Sequence, residues 1–252
     1  MPIVAALAKA TLLEAVRNRL LWLTAILVVA AFGLTQFLNQ VAIAETREIQ
    51  VALLAAPLRV GAVFILAVFV VTSMVRESND KVTELLLSLP APRSSYFFGK
   101  FAGYASVAAI LALLCAVPLA PFAAPPGLAL WTVSLVCELL IVTAVSLFCV
   151  LSLAQVVPAL AAVSGFYLLS RSMTAIQIIA GASLEGQTLT DHTVSAVVAL
   201  IALLLPALDG MTQTTWLVGG AFGNVFAVFG QTAIYLILIC AAALFDLYRK
   251  NF

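Results

Sequence analysis

Runs of about 20 apolar residues recur along the chain, and nothing else in the sequence constrains the fold as strongly. A segment inside hydrocarbon must satisfy its own backbone N–H and C=O groups, which leaves only helices or a closed barrel. No stretch alternates apolar and polar residues as barrel strands do, so each run is predicted to be a helix. Composition agrees: 64% of the 252 residues are hydrophobic and only 9% are charged, whereas soluble domains are about 45–50% apolar. The expected fold class is an all-α polytopic membrane protein with a single transmembrane domain over residues 1–252.

The runs place spanning helices at roughly 20–38, 58–75, 101–119, 130–153, 158–180 and 225–247. Ahead of them, residues 3–19 carry Lys9, Glu14, Arg17 and Arg19 among Leu, Val and Ala, with no glycine or internal proline. That composition predicts a helix lying at the membrane interface, with Trp22 at headgroup level as the first span begins. Residues 39–56, which hold Glu45, Arg47 and Glu48, read as a short polar connection, and Arg59 stands close enough to a span end to snorkel. Pro118, Pro121, Pro125 and Pro126 are expected to stop any helix between the third and fourth spans. The interval 181–224 is irregular. It opens with the polar stretch SLEGQTLTDHT, and the apolar run Ala196–Leu205 that follows is stopped by Pro206. After Asp209-Gly210 comes a second short apolar piece, Trp216–Phe222. Such runs are too short to span. Two of them around a polar turn predict a re-entrant hairpin, which survives at membrane depth only against protein or water.

Lysine and arginine set the orientation. With the N-terminus inside, the inner segments hold Lys9, Arg17, Arg19, Arg76, Lys81, Arg93, Lys100, Arg249 and Lys250, and the outer ones hold Arg47 and Arg59. The positive-inside rule then puts both termini in the cytoplasm. A full span over 194–208 would carry the basic tail outside, which argues for six spans rather than seven. The early Glu14 and the late, long apolar run do not suit a secretory signal peptide.

The sequence offers no catalytic constellation. Gly99-Lys100 lacks the glycine pattern of a phosphate-binding loop, and neither HExxH nor GxSxG occurs. Cys115, Cys137, Cys149 and Cys240 all fall inside apolar runs without a CxxC spacing and read as small buried hydrophobes. His192, the single histidine, stands beside Asp191; it reads as a solvated loop residue or a weak metal ligand. No metal, cofactor or nucleic-acid partner is expected for the chain itself.

The most charged stretch is VRESNDKVTELLLSLPAPRSSYFFGKFAGY, from Val75 to Tyr104, with Arg76, Glu77, Asp80, Lys81, Glu84, Arg93 and Lys100 between two spans. Its order of Glu77, then Val82-Thr83-Glu84-Leu85-Leu86-Leu87-Ser88-Leu89-Pro90, Arg93 and a closing Gly99-Lys100 resembles the membrane (permease) subunits of type-2-class ABC exporters. Residues 77–100 carry the specific likeness; the rest is likeness of layout, with an N-terminal elbow helix, six spans and a broken hairpin before the last. Val82-Thr83 stands where that family commonly has Gly-Thr. The resemblance implies a half-transporter in a bacterial-type inner membrane, paired with a second permease chain and docked on two separately encoded ATP-binding subunits, which would carry ATP and magnesium. It also implies that the segment about Val82–Leu89 is the coupling helix. The residue chemistry suits docking: Leu85, Leu86 and Leu89 offer an apolar ridge, Lys81 and Glu84 charges at its edge, and Pro90-Ala91-Pro92 a stop that presents it. A plain interfacial loop on lipid headgroups is the alternative.

Two further functional classes stay open on the residues alone: a lipid-acting intramembrane enzyme, and a membrane scaffold or assembly subunit. An intramembrane enzyme would need a cluster of His, Asp or Ser at one depth, and the ionisable residues deepest inside spans are only Glu138 and Arg171. Each lies roughly 12–13 Å below the outer end of its span at about 1.5 Å per residue. Their spans are joined by a very short link, so a paired arrangement is expected, either structural or lining a path.

Overall fold

The computed structural model describes residues 2–18, 20–41, 47–81, 92–182, 201, 205–219 and 225–249, and every regular element among them is helical. In chain order these are α1 (Pro2–Arg17), α2 (Leu20–Val41), α3 (Arg47–Asn79), α4 (Arg93–Ala116) with a 3-10 turn at Val117–Leu119, α5 (Pro125–Leu153) and α6 (Val156–Ala182). A 3-10 turn at Leu208–Gly210, a short α7 (Thr215–Gly219) and α8 (Val225–Arg249) follow. Five helices, α3, α4, α5, α6 and α8, are long and apolar enough to cross a bilayer. The pair α1 and α2, bent by 55°, passes the same test as one unit. The chain is a multi-pass membrane protein.

Helix α5 forms the axis. It is apolar all round, which marks a helix enclosed by others, and Trp131, Leu135, Leu139, Ile141 and Val142 are fully buried. Helices α3, α4, α6 and α8 pack around it. Helix α1 lies along α4, and the sequence GKFAG makes this possible. A side-chain carbon at Gly99 would come within 2.9 Å of Leu7, and one at Gly103 within 2.7 Å of Thr11. Small residues four apart let two backbones approach where no hydrophobic effect drives them together.

Three expectations need correction. Residues 47–56 are not a connection but the first turns of α3, which runs through Pro57. Val51, Leu54, Ala55 and Leu58 are buried at helical spacing, and the packing of that stripe outweighs the one hydrogen bond that proline removes. Pro125 and Pro126 start a helix rather than stopping one: they sit in the first turn of α5, where the missing N–H has no partner to lose. Arg59 does not snorkel but points into the bundle, as described below. The link between α5 and α6 is as short as expected. Ala154 takes a left-handed conformation, φ 52°, and its N–H bonds the Val150 carbonyl. Of the interval 181–224, the described residues are 181–182, 201 and 205–219; the run Ala196–Leu205 falls mostly outside them, as does His192.

Candidate functional site

The charged stretch enters and leaves the bundle beside α1. At the end of α3, Arg76 donates to Glu14 Oε1 of α1 at 2.5 Å, and Ser73 donates to the same oxygen at 2.9 Å. Two turns into α4, Lys100 is buried and forms an ion pair with Glu77. Tyr104 donates to Ser73 at 3.0 Å. Helices α1, α3 and α4 are therefore tied at this end by two ion pairs sharing a hydrogen-bonded seam. Glu77, expected on a docking face, is turned inward. Lys81 is exposed and ends the α3 region in a left-handed conformation, φ 55°. Arg93, half-buried, donates to the carbonyls of Leu247 at 3.2 Å and Tyr248 at 3.4 Å. A cation there also faces the negative end of the α8 dipole, so Arg93 fastens the last helix to the first turn of α4. Ser152 and Asp246, 3.0 Å apart, join α5 to α8 at the same end. Glu84, Leu85, Leu86 and Leu89 lie outside the described residues.

A second polar locus sits inside the bundle. Glu138, midway along α5, is fully buried. Its Oε2 accepts a hydrogen bond from the Thr212 hydroxyl at 2.7 Å, and its Oε1 is 4.0 Å from Arg171 Nη1 of α6. Glu138 and Arg171 thus lie at ion-pair distance but do not share a hydrogen bond. Arg171 spends its donors on the backbone instead, bonding the carbonyl of Leu208 and, at 3.1 Å, that of Met211. Arg59 of α3 does the same, donating to the Thr212 carbonyl at 3.0 Å. The Thr212 N–H donates to Ser134 Oγ of α5 at 3.0 Å. Four side chains from α3, α5 and α6 therefore hold the turn 208–212 inside the protein.

Thr212 has φ 49°, an unfavourable conformation for a β-branched residue. It is held there because its N–H, carbonyl and hydroxyl are all bonded. The following α7 packs on the start of α5, where the Ala124 N–H bonds the Leu217 carbonyl at 3.4 Å. Gly127 admits it: a side-chain carbon there would stand 2.1 Å from the Trp216 carbonyl oxygen. Backbone without regular structure inside a membrane bundle needs such partners.

Sequence reasoning singled out Glu138 and Arg171 but missed Arg59 and Thr212. A threonine in an irregular turn gives no signal, and Arg59 stood near the end of a span only because α3 was drawn too short. Among the described residues no three His, Cys, Asp or Glu side chains gather as metal ligands. Compared with known proteins, the chain matches no family model and no curated protein sequence.

Proposed function

We propose that this chain is the membrane (permease) subunit of a type-2-class ABC exporter. In this reading it pairs with a second copy to form the translocation path and is driven by two copies of a separately encoded ATP-binding subunit. Helices α2, α3, α4, α5, α6 and α8 are the six spans and α1 is the elbow helix. Residues 181–224 form a re-entrant hairpin on the outer side, and both termini are cytoplasmic. The observation that carries the reading is the charged stretch 76–100, with its Glu84-Leu85-Leu86, Arg93 and Gly99-Lys100, which runs from the end of one long apolar helix into the first turns of the next.

The geometry supports a mechanism for such a subunit. A push on the segment Val82–Leu89 reaches α3 and α4 together, because Glu77–Lys100 and Glu14–Arg76 bind α1, α3 and α4 into one body. Helix α3 then carries the displacement from Arg76 to Arg59, roughly 26 Å at about 1.5 Å per residue. Arg59 grips the turn 208–212, which Glu138 and Arg171 hold from the other side. A tilt of α3 thus acts directly on the seat of the outer hairpin.

The test is purification of the tagged chain from its native membrane in mild detergent. An ATP-binding subunit should accompany it with magnesium-dependent ATPase activity. Leu86→Asp, which would bury an unpaired charge in the contact, should abolish that association while leaving the chain inserted. Absence of any ATPase subunit from the wild-type preparation would rule out the proposal.

A further inference from the structure

Two clefts meet at the bend between α1 and α2. The first, of about 440 Å³, is lined by Leu13, Glu14, Arg17, Asn18 and Arg76. The second, of about 360 Å³, is an apolar groove between α2 and α3, lined by Leu20, Leu23, Ile65, Val68, Phe69 and Thr72. Asn18 lines both, so a polar mouth opens into an apolar slot. The mouth carries two guanidinium groups against one carboxylate, and that carboxylate already accepts from Ser73 and Arg76. The Arg76 side chain remains 57% exposed, leaving donors free to turn outward. Leu13 and Val16, 54% and 55% exposed beside Arg17, suit the boundary between headgroups and acyl chains. From Arg76 to Ile65 the slot descends α3 by roughly 16 Å at about 1.5 Å per residue. One leaflet's share of a bilayer core about 30 Å thick is close to that depth.

We infer that this pair of clefts is a binding site for one anionic phospholipid. Its phosphate lies between Arg17 and Arg76, with Asn18 at the glycerol level, and one acyl chain lies in the groove between α2 and α3. Charge complementarity selects the headgroup, because guanidinium groups hold phosphate oxygens through paired donors. The apolar groove is continuous with that headgroup site, and a chain attached to the phosphate fills it. Seated there, the lipid clasps the α1–α2 bend to the end of α3.

The experiment is native mass spectrometry of the purified full chain, delipidated and titrated with phosphatidylglycerol, phosphatidylcholine or inorganic phosphate. The wild type should retain one phosphatidylglycerol per chain in preference to phosphatidylcholine. Arg17→Gln should weaken that preference about fivefold, in line with the usual contribution of one basic residue near anionic lipid. Arg17→Gln with Arg76→Gln should remove it. Ile65→Trp, which fills the groove and leaves both arginines, should also lose the retained lipid; it guards against misreading a folding defect in the arginine variants. Equal retention of the two lipids would overturn the proposal in favour of unselective annular lipid. Displacement of phosphatidylglycerol by millimolar inorganic phosphate, or unchanged retention in Ile65→Trp, would mean that an anion and not a lipid is recognised, and would overturn it equally.

Discussion

Replacing Thr212 by valine removes one hydroxyl and keeps the shape, so it takes away the bond to Glu138 that seats the turn 208–212 together with a longer contact from Arg59 Nη1 at 3.4 Å. That hydroxyl donates to Glu138 Oε2 at 2.7 Å, and Glu138 is fully buried. A hydrogen bond to a charged group contributes about 1.5–3 kcal/mol, while polar bonds between membrane helices average about 0.6 and reach about 1.7 kcal/mol. The carboxyl group is buried and its other oxygen is 4.0 Å from the Arg171 guanidinium, so the upper end of the membrane range, about 1.7 kcal/mol, applies. A loss of about 1.7 kcal/mol corresponds to a fall of about 3–7 °C in Tm for a chain of this size. Thr212→Ser keeps the hydroxyl and drops the β-branch at φ 49°, so its Tm should equal or exceed that of the wild type. Thermal unfolding of the detergent-solubilised variants reads both. If valine at 212 melts with the wild type, or serine falls as far as valine, the hydroxyl does not seat the turn.

Arg171→Leu should destabilise more than Glu138→Gln, because it strands two carbonyl oxygens whereas glutamine still accepts from Thr212; thermal melts of the two variants decide the order. Gly127→Val should detach α7 from the start of α5, since its side chain would overlap the Trp216 carbonyl; limited proteolysis within 205–219 should rise sharply. Arg93→Ala should loosen the end of α8 by about 1–2 kcal/mol through loss of two carbonyl bonds and the dipole contact; faster hydrogen exchange near Leu247 and Tyr248 reports it. Cysteines at Ser78 and Ser94 should label from the cytoplasmic side only, and one at Thr188 from outside only; labelling of Thr188 from the cytoplasm would contradict the six-span topology.

The long helices are legible because apolar length is a direct physical requirement of spanning, and α5, α6 and α8 lie close to where their runs place them. Helix α4 instead begins eight residues before its run, at Arg93, because Arg93–Lys100 continue the helix with charged and polar residues that apolar length does not register. The failures have specific causes. Glu45, Arg47 and Glu48 drew attention to charge and hid the helical spacing of Val51, Leu54, Ala55 and Leu58, so α3 was drawn too short. Prolines at 125 and 126 were read by their power to end a helix, though the same missing N–H suits a first turn. Depth along two adjacent spans was enough to bring Glu138 near Arg171. The way both arginines serve backbone carbonyls at 208–212 was not legible, because it depends on a turn distant in sequence that folds back between the helices. Likewise Gly99 stood out as half of Gly99-Lys100, while its packing against Leu7 needed α1 in place.

The central claim is that the segment between α3 and α4 docks an ATP-binding subunit. A photo-crosslinking residue at Leu86, irradiated in native membranes, should capture a protein bearing a phosphate-binding loop. The same residue at the exposed Phe226, on α8, should not. Capture at 226 and not at 86, or no ATP-binding protein at either position, would contradict the account.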